Sequence, residues 1–387
     1  MRARSTAAVT GMLIGAVFML RHADAAVTDA ADRLRSEQFQ QLDAEFSRVQ
    51  EQFERGKISG EDARDAFRAF YSTDKDLAAK YDEWIKRYPN SYVAHLARGI
   101  YYKKVGLEAR GGKYIEETSQ EQIQNMDAAL TKAIKDFGDS IPLTRKPFVS
   151  YLHMIDIGKS YVSASYTREL YDHAVALDPR SFAARQKFMA ALQTKWGGSL
   201  EDMQKFLEEC RRAKLPYPQF KQLESLVYEN EGWERENDGD HAAAEAAYRK
   251  AVELDGADCT SCLVSSLTTV LMNERKYAEA IPFLDRYLKS EPGNPWALST
   301  RGLAYFQSGK QAEALADWTV AADAGDAFSQ NRLGVLYMTG IPGQLTPDPK
   351  KGIEWLRKAA AQGNAEAQHN LPLALSRAAG QTAPAPH

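Results

Sequence analysis

The sequence predicts an all-α fold, a helical-repeat solenoid of antiparallel helix pairs preceded by an all-α N-terminal domain. Three observations lead to this prediction. Apolar residues recur at intervals of three and four, which is the period of an amphipathic helix. Strand signals are missing, since no Asn-Gly turn separates alternating runs. Segments of the chain also resemble one another at fixed spacing, which is typical of stacked helix pairs.

The first 25 residues have the pattern of a secretion signal. Arg2 and Arg4 precede an uncharged stretch over 5–20, and Ala23-Asp24-Ala25 supplies the small residues of a cleavage site. The apolar run is shorter than the roughly 20 residues that a membrane span needs, so an uncleaved anchor is the second alternative. We expect a cleaved signal peptide over 1–25 and a periplasmic or secreted bacterial protein with no stable membrane anchor.

Residues 26–215 are predicted to form the all-α N-terminal domain. Two apolar stripes at helical spacing begin it, and they comprise Phe39, Leu42, Phe46 and Val49, then Leu77, Tyr81, Trp84 and Ile85. Proline cannot continue a helix, whereas Ser and Asn are favoured at helix starts. Stops of this kind are Pro89, Pro179 and Pro292, and the expected starters after them are Asn90, Ser181 and Asn294.

Two distant segments share an internal repeat. The pairs that match, counted from the two prolines, are Pro89 and Pro292, Ala94 and Ala297, Arg98 and Arg301, Gly99 and Gly302, and Tyr102 and Tyr305. Small residues one turn before a glycine let two antiparallel helices approach closely, and a large ring fills the remaining space. This arrangement predicts a helix–turn–helix repeat.

The stretch over 216–323 resembles tetratricopeptide repeats. In its third unit the residues that carry the resemblance are Gly302, Tyr305, Ala314, Trp318 and Ala321. The second unit keeps Leu267, Ala280, Leu284 and Pro292 but has Thr268 at the expected glycine. The first unit keeps Gly232, Ala244, Tyr248 and Ala251, with Gly256 replacing the closing proline and Arg235 at an aromatic position. The resemblance implies stacked helix pairs that form a curved surface.

A second kind of repeat follows over 324–378. Gly325, Ala327, Gln330 and Leu333 recur 38 residues later as Gly363, Ala365, Gln368 and Leu371. This spacing resembles a Sel-one-like repeat, which is related to the tetratricopeptide repeat but has a longer loop between its helices. The second copy is interrupted at Pro372 and is predicted to be a terminal cap. Residues 379–387 are expected to be a disordered tail.

The N-terminal half also resembles an uncharacterised bacterial domain family. The segments that carry the resemblance are Trp84, the run over 94–99, the Arg110-Gly111-Gly112 turn and Trp196-Gly197-Gly198-Ser199. That family has no assigned activity, so the resemblance implies only a fold. On physical grounds Trp196-Gly197-Gly198-Ser199 is predicted to be a structural corner, because glycine can end a helix and Ser199 can cap the next. A ligand-binding turn is the alternative.

Composition and motifs point away from catalysis. The chain has 387 residues with 49 Lys and Arg against 52 Asp and Glu, and a net charge of −3 gives no basic field for nucleic acid. The sequence contains no glycine-rich phosphate loop, no Gly-x-Ser-x-Gly elbow and no His-Glu-x-x-His motif. No histidine pair lies four residues apart after signal removal. We therefore predict no enzyme activity, no cofactor and no metal.

Cys259 and Cys262 form a Cys-x-x-Cys pair. In an exported protein this spacing allows a local structural disulfide, and buried free thiols or a catalytic dithiol are the alternatives. The βαβ context of thioredoxin-type sites is missing around the pair. Cys210 is expected to be a buried apolar residue.

The resemblance to tetratricopeptide repeats also implies a ligand-facing stripe on the first helix of each unit. Carried onto this chain, the predicted partner-binding residues are Trp296, Ser299, Leu303, Phe306 and Gln307, with Met272 and Asn273 from the second unit. An aromatic-rich stripe with polar rims suits an apolar anchor of a protein or peptide partner. The alternative is that these residues only pack against neighbouring helices.

Two classes of function follow from these patterns. The first is an exported scaffold that mediates protein–protein or protein–peptide interaction in the bacterial envelope. The second is an enzyme with its site in the N-terminal domain and with repeats that recruit its substrate. A thiol–disulfide protein acting through Cys259 and Cys262 is a weaker third alternative. Oligomeric state follows from none of these patterns.

Overall fold

A computed structural model describes residues 25–111, 118–161, 163–256 and 261–381 of the chain. These residues divide into two compact units, with Leu223 the last residue of the first unit and Glu224 the first of the second. The signal peptide prediction lies outside the described residues, apart from Ala25. Among the described residues the secondary structure is helical, and the one strand-type pairing is an isolated bridge between Ile341 and Leu345.

Unit 1 contains ten α-helices in the described residues. They are α1 over 25–35, α2 Phe39–Glu54, α3 Gly60–Phe67, α4 Leu77–Arg87, α5 Tyr92–Arg110, α6 Gln120–Ser140, α7 Phe148–Tyr161, α8 Ala164–Leu177, α9 Phe182–Ala191 and α10 Leu200–Arg212. Short 3-10 turns lie over Arg68–Phe70, Ile141–Leu143 and Thr194–Trp196. The all-α prediction is confirmed for this half.

Helix α11, Tyr217–Asn237, begins in the last residues of unit 1 and continues into unit 2. The remaining helices are α12 His241–Asp255, α13 Ser261–Asn273, α14 Tyr277–Ser290, α15 Pro295–Gln307, α16 Gln311–Asp323, α17 Ala327–Thr339, α18 Pro349–Ala361 and α19 Ala365–Gln381. From α12 onward each helix packs against the next, which is the neighbour-to-neighbour packing of a helical solenoid.

Polar side chains begin the helices because the first backbone N–H groups of a helix have no partner within it. Ser181 accepts a hydrogen bond from the backbone of Ala184, and Asn294 accepts one from Ala297, as the sequence predicts. The expected starter of α5 was Asn90, but Ser91 caps this helix by accepting from Ala94. Ser91 is the residue directly before the helix, so its hydroxyl caps the helix instead of the carboxamide of Asn90.

Aromatic rings fill the core of unit 1. Phe39 stacks on Trp84 with centroids 6.1 Å apart, and Phe70 lies 4.6 Å from Phe46 and 5.9 Å from Trp84. The predicted stripes on α2 and α4 therefore meet in one cluster. Val49 and Ile85 lie at its margin and are half-buried.

The two segments of the internal repeat predicted from Pro89 and Pro292 each contain an arginine that is bonded to two aspartates. Arg98 donates to both oxygens of Asp136 at 2.7 and 2.9 Å and to Asp82 at 2.8 Å. In unit 2, Arg301 donates to both oxygens of Asp317 and to Asp285, all at 2.7 Å. Arg98 lies 16 residues after Asp82, and Arg301 lies 16 residues after Asp285.

A glycine at the same point of three helix pairs admits a large side chain of the partner helix. A Cβ atom on Gly232 would lie 2.6 Å from the Tyr248 ring, and one on Gly302 would lie 2.6 Å from Trp318 Nε1. On Gly334 it would lie 2.6 Å from Leu356 Cγ. Thr268 occupies this point of the second pair and is fully buried, with its hydroxyl bonded to the Val264 carbonyl at 2.8 Å.

The loop over 341–348 joins α17 to α18 as the long inter-helix loop of the last repeat. Ile341 is buried against the cluster around Trp318 and Trp355, and the Ile341–Leu345 bridge closes the turn. Helix α19 packs on α18 and continues through Pro372 to Gln381. The expected disordered tail over 379–387 is wrong for residues 379–381, which continue helix α19, and residues 382–387 lie outside the described chain.

Candidate functional site

The repeat glycines define a helix face that recurs along unit 2. We name this face the repeat face and define it as the residues one, four and five places after Gly232, Thr268, Gly302 and Gly334. The fifth residue is exposed in every repeat, namely Asn237, Asn273, Gln307 and Thr339. The fourth is half-buried in every repeat, namely Glu236, Met272, Phe306 and Met338. The first residue is exposed in two repeats, Trp233 and Thr269, and half-buried in the other two, Leu303 and Val335, so exposure recurs at the fourth and fifth positions only.

The predicted partner-binding residues divide between surface and core. Trp296 is 37% exposed, and its ring meets Tyr287 edge to face at 5.6 Å. Ser299 is buried, and its hydroxyl donates to Asp326 at 2.9 Å, which places it in the contact between α15 and the start of α17. Leu303 and Phe306 are half-buried against the cluster that contains Trp318, with the Phe306 ring 5.5 Å from the Trp318 ring.

Leu303 and Phe306 belong to the repeat face by its definition, and so do the remaining predicted residues Gln307, Met272 and Asn273. Gln307 and Asn273 are exposed, whereas Met272 is half-buried and packs against the core of the second repeat. Trp233 was not predicted, although it is 38% exposed and follows Gly232 as Leu303 follows Gly302. The repeat alignment alone would have placed it on this face.

The side chains of Cys259 and Cys262, the Cys-x-x-Cys pair, lie outside the described part of the chain. Cys259 is outside the described residues, and only the backbone of Cys262 is described. Cys210 is buried, and burial raises the pKa of its thiol to about 12. Such a thiol stays protonated and unreactive at neutral pH, which agrees with its prediction as an apolar residue.

Unit 1 brings together a cluster of charged side chains that the sequence analysis did not find. Helix α7 places His153, Asp156 and Lys159 on one face because they are three residues apart. Lys103 of α5 donates to Asp156 and lies 3.3 Å from His153 Nδ1. Lys187 of α9 reaches the same carboxylate at 3.1 Å.

Burial and like charges shift the pKa values of this lysine cluster, which we define as Lys103, Lys159 and Lys187 around Asp156. Burial lowers the pKa of Lys103 to about 8. Burial also lowers the pKa of His153 well below 6.5, and Lys103 and Lys187 add to this effect. For Asp156, burial favours the neutral form, but Lys103 and Lys187 outweigh it and hold the carboxyl pKa well below its usual range. The cluster therefore holds an ionised Asp156 beside a neutral His153.

The Trp196-Gly197-Gly198-Ser199 segment forms the structural corner that the sequence predicts. Gly197 has φ +86°, and a Cβ on Gly198 would overlap the carbonyl oxygen of Leu192. Ser199 caps α10 by accepting from the Asp202 backbone at 3.1 Å. The corner also lines a cavity of about 100 Å³ whose other walls include Lys159. The structural prediction is thus confirmed, and the corner lines a cavity as well.

One further group of potential metal ligands has its charges already compensated. Ligand atoms of His95, Asp136 and Asp139 lie within 4.8 Å of one another. Both oxygens of Asp136 accept from Arg98, and Asp139 accepts from Lys135 at 2.5 Å. A cation at this point would have to compete with a guanidinium that is bonded twice, so we assign no metal to it.

Comparison with known families confirms the two kinds of repeat. A tetratricopeptide repeat model matches residues 226–258, and a Sel1 repeat model matches residues 327–364. An F-box protein of Arabidopsis thaliana is 33% identical over 93 residues, which are 24% of this chain and 25% of that protein. The match thus spans about a quarter of the relative's length. The resemblance of the N-terminal half to a bacterial domain family stays a prediction.

Solved structures of repeat proteins are also similar to this chain. A Sel1 repeat protein from Oxalobacter formigenes has a TM-score of 0.38 and 18% identity, with 84% of this chain and 89% of that chain covered. YrrB, described as a TPR protein with an unusual peptide-binding site, has a TM-score of 0.31 and 18% identity, with 51% and 97% covered. At these TM-scores the fold assignment rests on the helices and repeat matches described above.

The repeats point to a protein–protein interaction scaffold, and scaffolds of this kind are typically not enzymes. No helix among the described residues combines the length and the apolar character that crossing a membrane requires.

Proposed function

We propose that this chain is an exported scaffold of the bacterial envelope that binds an extended segment of a protein or peptide partner along the repeat face. The recurrence of that face across four repeats carries the proposal. A single exposed helix can be explained by chance, but four register-equivalent helices with the same exposure at their fourth and fifth positions provide a recurring pattern that one partner could follow.

The chemistry of the repeat face suits an extended backbone. Its outermost position carries a carboxamide in three repeats, Asn237, Asn273 and Gln307, and a hydroxyl in the fourth, Thr339. A carboxamide both donates and accepts, so it can pair with a peptide N–H and C=O without selecting a charge. Trp233 adds exposed aromatic surface to this face, and Trp296 at the start of α15, outside the face as defined, adds a second exposed ring where an apolar side chain could anchor.

Site-specific photo-cross-linking tests this proposal. A photoreactive residue at Asn273 or Gln307 is expected to capture the same partner from the native envelope, because both positions are exposed on the repeat face. The matched control is Val320 of α16, which is 51% exposed but lies outside that face. Equal capture from position 320 would contradict the proposal.

Alanine at the two tryptophans measures the contribution of the anchors. Trp233→Ala with Trp296→Ala is expected to weaken binding of the captured partner at least ~10-fold, equivalent to about 1.4 kcal/mol. Both rings are more than a third exposed, so the melting temperature should change little. Phe306→Ala should behave in the opposite way and lower the melting temperature, because that ring packs on Trp318. A large loss of stability in the tryptophan variant would show that the two rings belong to the core.

Export is the second component of the proposal and is tested separately. Mass spectrometry of the native protein should find its N-terminus at or within a few residues of Ala26, as the Ala23-Asp24-Ala25 pattern predicts. Recovery of a chain that still begins at Met1 would favour a membrane anchor and would remove the basis for a soluble exported scaffold.

A protein partner is favoured over nucleic acid because the chain has a net charge of −3. We assign no catalytic step to the repeats. The enzyme alternative would place its site in unit 1, where the lysine cluster supports ligand binding rather than a defined reaction.

A further inference from the structure

We propose that unit 1 binds a short aliphatic carboxylate in the cavity between Lys159 and the Trp196-Gly197-Gly198 corner. The site is independent of the repeat face, since every residue that forms it belongs to unit 1. Three observations carry the inference, namely an excess of positive charge, a lysine beyond hydrogen-bond distance of its carboxylate, and a cavity of matching size and polarity.

Positive charge exceeds negative charge around the cavity. Three ammonium groups of the lysine cluster share the carboxylate of Asp156, and Asp202 on the cavity wall is a second carboxylate, so three positive charges stand against two negative ones. Burial lowers the pKa of Lys159; the Asp156 charge opposes this shift, while Lys187, Lys195 and Arg110 add to it. A purely structural network would be expected to balance its buried charges, because unpaired buried charge is costly. The excess indicates room for one more anion.

Lys159 is the member of the cluster whose carboxylate contact is incomplete. Its Nζ lies 3.9 Å from Asp156 Oδ1, beyond hydrogen-bond distance, while Lys103 and Lys187 both contact Oδ2 of that carboxylate. The ammonium lies 4.9 Å from the centroid of the Trp196 ring, and the side chain keeps 29% of its surface accessible. It therefore has donors available toward the cavity.

The cavity has the size and polarity of a short fatty acid. Its volume is about 100 Å³, room for roughly three water molecules at about 30 Å³ each. Lys159 supplies the donor, because the Thr167 hydroxyl already donates to the Ser163 carbonyl at 3.1 Å, and the larger apolar walls are Phe188, Leu192 and Trp196. A carboxylate head at Lys159 with a short tail against these walls would satisfy both surfaces.

Two negative groups near the cavity limit how an anion can enter. Asp202 lines the cavity, but its carboxylate accepts from the Ser199 hydroxyl at 2.7 Å. Asp156 lies behind Lys159 and is held by Lys103 and Lys187. Asp156 is compensated by two lysines, but the Ser199 hydroxyl is neutral and leaves the charge of Asp202 in place, so an added anion would have to bind at Lys159 and keep its own charge away from Asp202. His153 Nε2, next to the cluster, is also buried without a hydrogen-bond partner among the described residues.

Calorimetric titration of the mature full-length chain tests the inference. Sodium butyrate is expected to bind saturably, acetate more weakly, and inorganic phosphate most weakly, all measured against sodium chloride at equal ionic strength. Lys159→Met keeps the aliphatic stem but removes the charge, and it should weaken butyrate binding at least ~10-fold. Lys205→Met, an exposed lysine of α10 paired with Glu201, is the control and should bind as wild type does.

Further variants keep the inference falsifiable if Lys159→Met folds poorly. Lys159→Arg retains the charge and should retain saturable binding, whereas Leu192→Gln adds a polar group to the apolar wall and should reduce the preference for butyrate over acetate. The proposal is overturned if butyrate heats do not saturate or if Lys159→Met and Lys205→Met bind alike. Tighter binding of phosphate than of butyrate would overturn the assignment to a carboxylate.

Discussion

Asp156→Asn is expected to destabilise unit 1 by roughly 3–5 kcal/mol, the range seen when one partner of a buried ion pair is removed. The substitution keeps the size of the side chain but removes the charge that Lys103, Lys187 and Lys159 share. Lys103 is 7% exposed and loses its partner in a largely dry position, whereas Asp156 is 29% exposed, so water offsets part of the loss and the lower end of the range is expected. Urea unfolding of the full chain measures the effect as a shift of the transition that belongs to unit 1.

The stability that Asp156→Asn loses relative to wild type should depend on pH in a defined direction. Burial lowers the pKa of Lys103 to about 8, so the folded state binds this proton less readily than the unfolded state does. Stability therefore rises as the pH increases from about 8 toward 10.4, the usual lysine pKa. Because the variant folds most easily with a neutral Lys103, its deficit against wild type should be larger at pH 6 than at pH 9.

A surface pair provides the control for Asp156→Asn. Glu51→Gln breaks the pair between Arg55 and Glu51, whose side chains are both more than half exposed, and should change stability by about 0–1 kcal/mol. If Asp156→Asn caused no more loss than Glu51→Gln, the lysine cluster would not be the buried ionic centre described above.

Gly302→Val is expected to destabilise unit 2 by about 1–3 kcal/mol, and by more if the two helix backbones separate. Even the first atom of a side chain would lie 2.6 Å from Trp318 Nε1. Trp318 is 1% exposed, and its indole N–H donates to the Ser299 carbonyl at 3.1 Å. The ring therefore cannot move without breaking that hydrogen bond and disturbing the core around it.

Gly293→Val is the matched control, because a Cβ at Gly293 meets no atom within 4 Å. The two variants receive the same side chain nine residues apart, one in the turn before α15 and one inside it, so a difference between them reports mainly the packing around Gly302. Thermal unfolding followed by circular dichroism compares them, and equal midpoints would mean that the packing of α15 on α16 around Gly302 has been misassigned.

Much of unit 2 could be predicted because its repeats encode local rules. Glycine beside a bulky partner, proline after a helix and asparagine before one each act over a few residues, and repetition multiplies the signal. Gly302, Pro292 and Asn294 therefore identified helices α14 to α16 directly. In unit 1 the same rules identified α5 through Arg98 and Gly99, although they misplaced its cap by one residue, from Ser91 to Asn90.

The candidate sites were less predictable. Trp233 is a register neighbour of a recognised glycine, so the sequence contained the signal that was missed. Ser299 and Phe306 were placed on the ligand-facing stripe by analogy, but contacts with Asp326 and Trp318 bring them into the packing. Which side of a helix is covered depends on the side chains of its neighbours, and a helical period alone does not specify them.

The sequence by itself determined the all-α class, the helix boundaries to within about a residue at the capped starts, and the positions of the repeats. Tertiary structure alone decided that Lys103, Asp156, Lys159 and Lys187 meet beside the Trp196 corner. Lys103 and Asp156 are 53 residues apart in the chain. Local propensity acts over about one helical turn, whereas these side chains meet only because α5, α7 and α9 pack together. Burial of the cluster then shifts the pKa values of its charged groups.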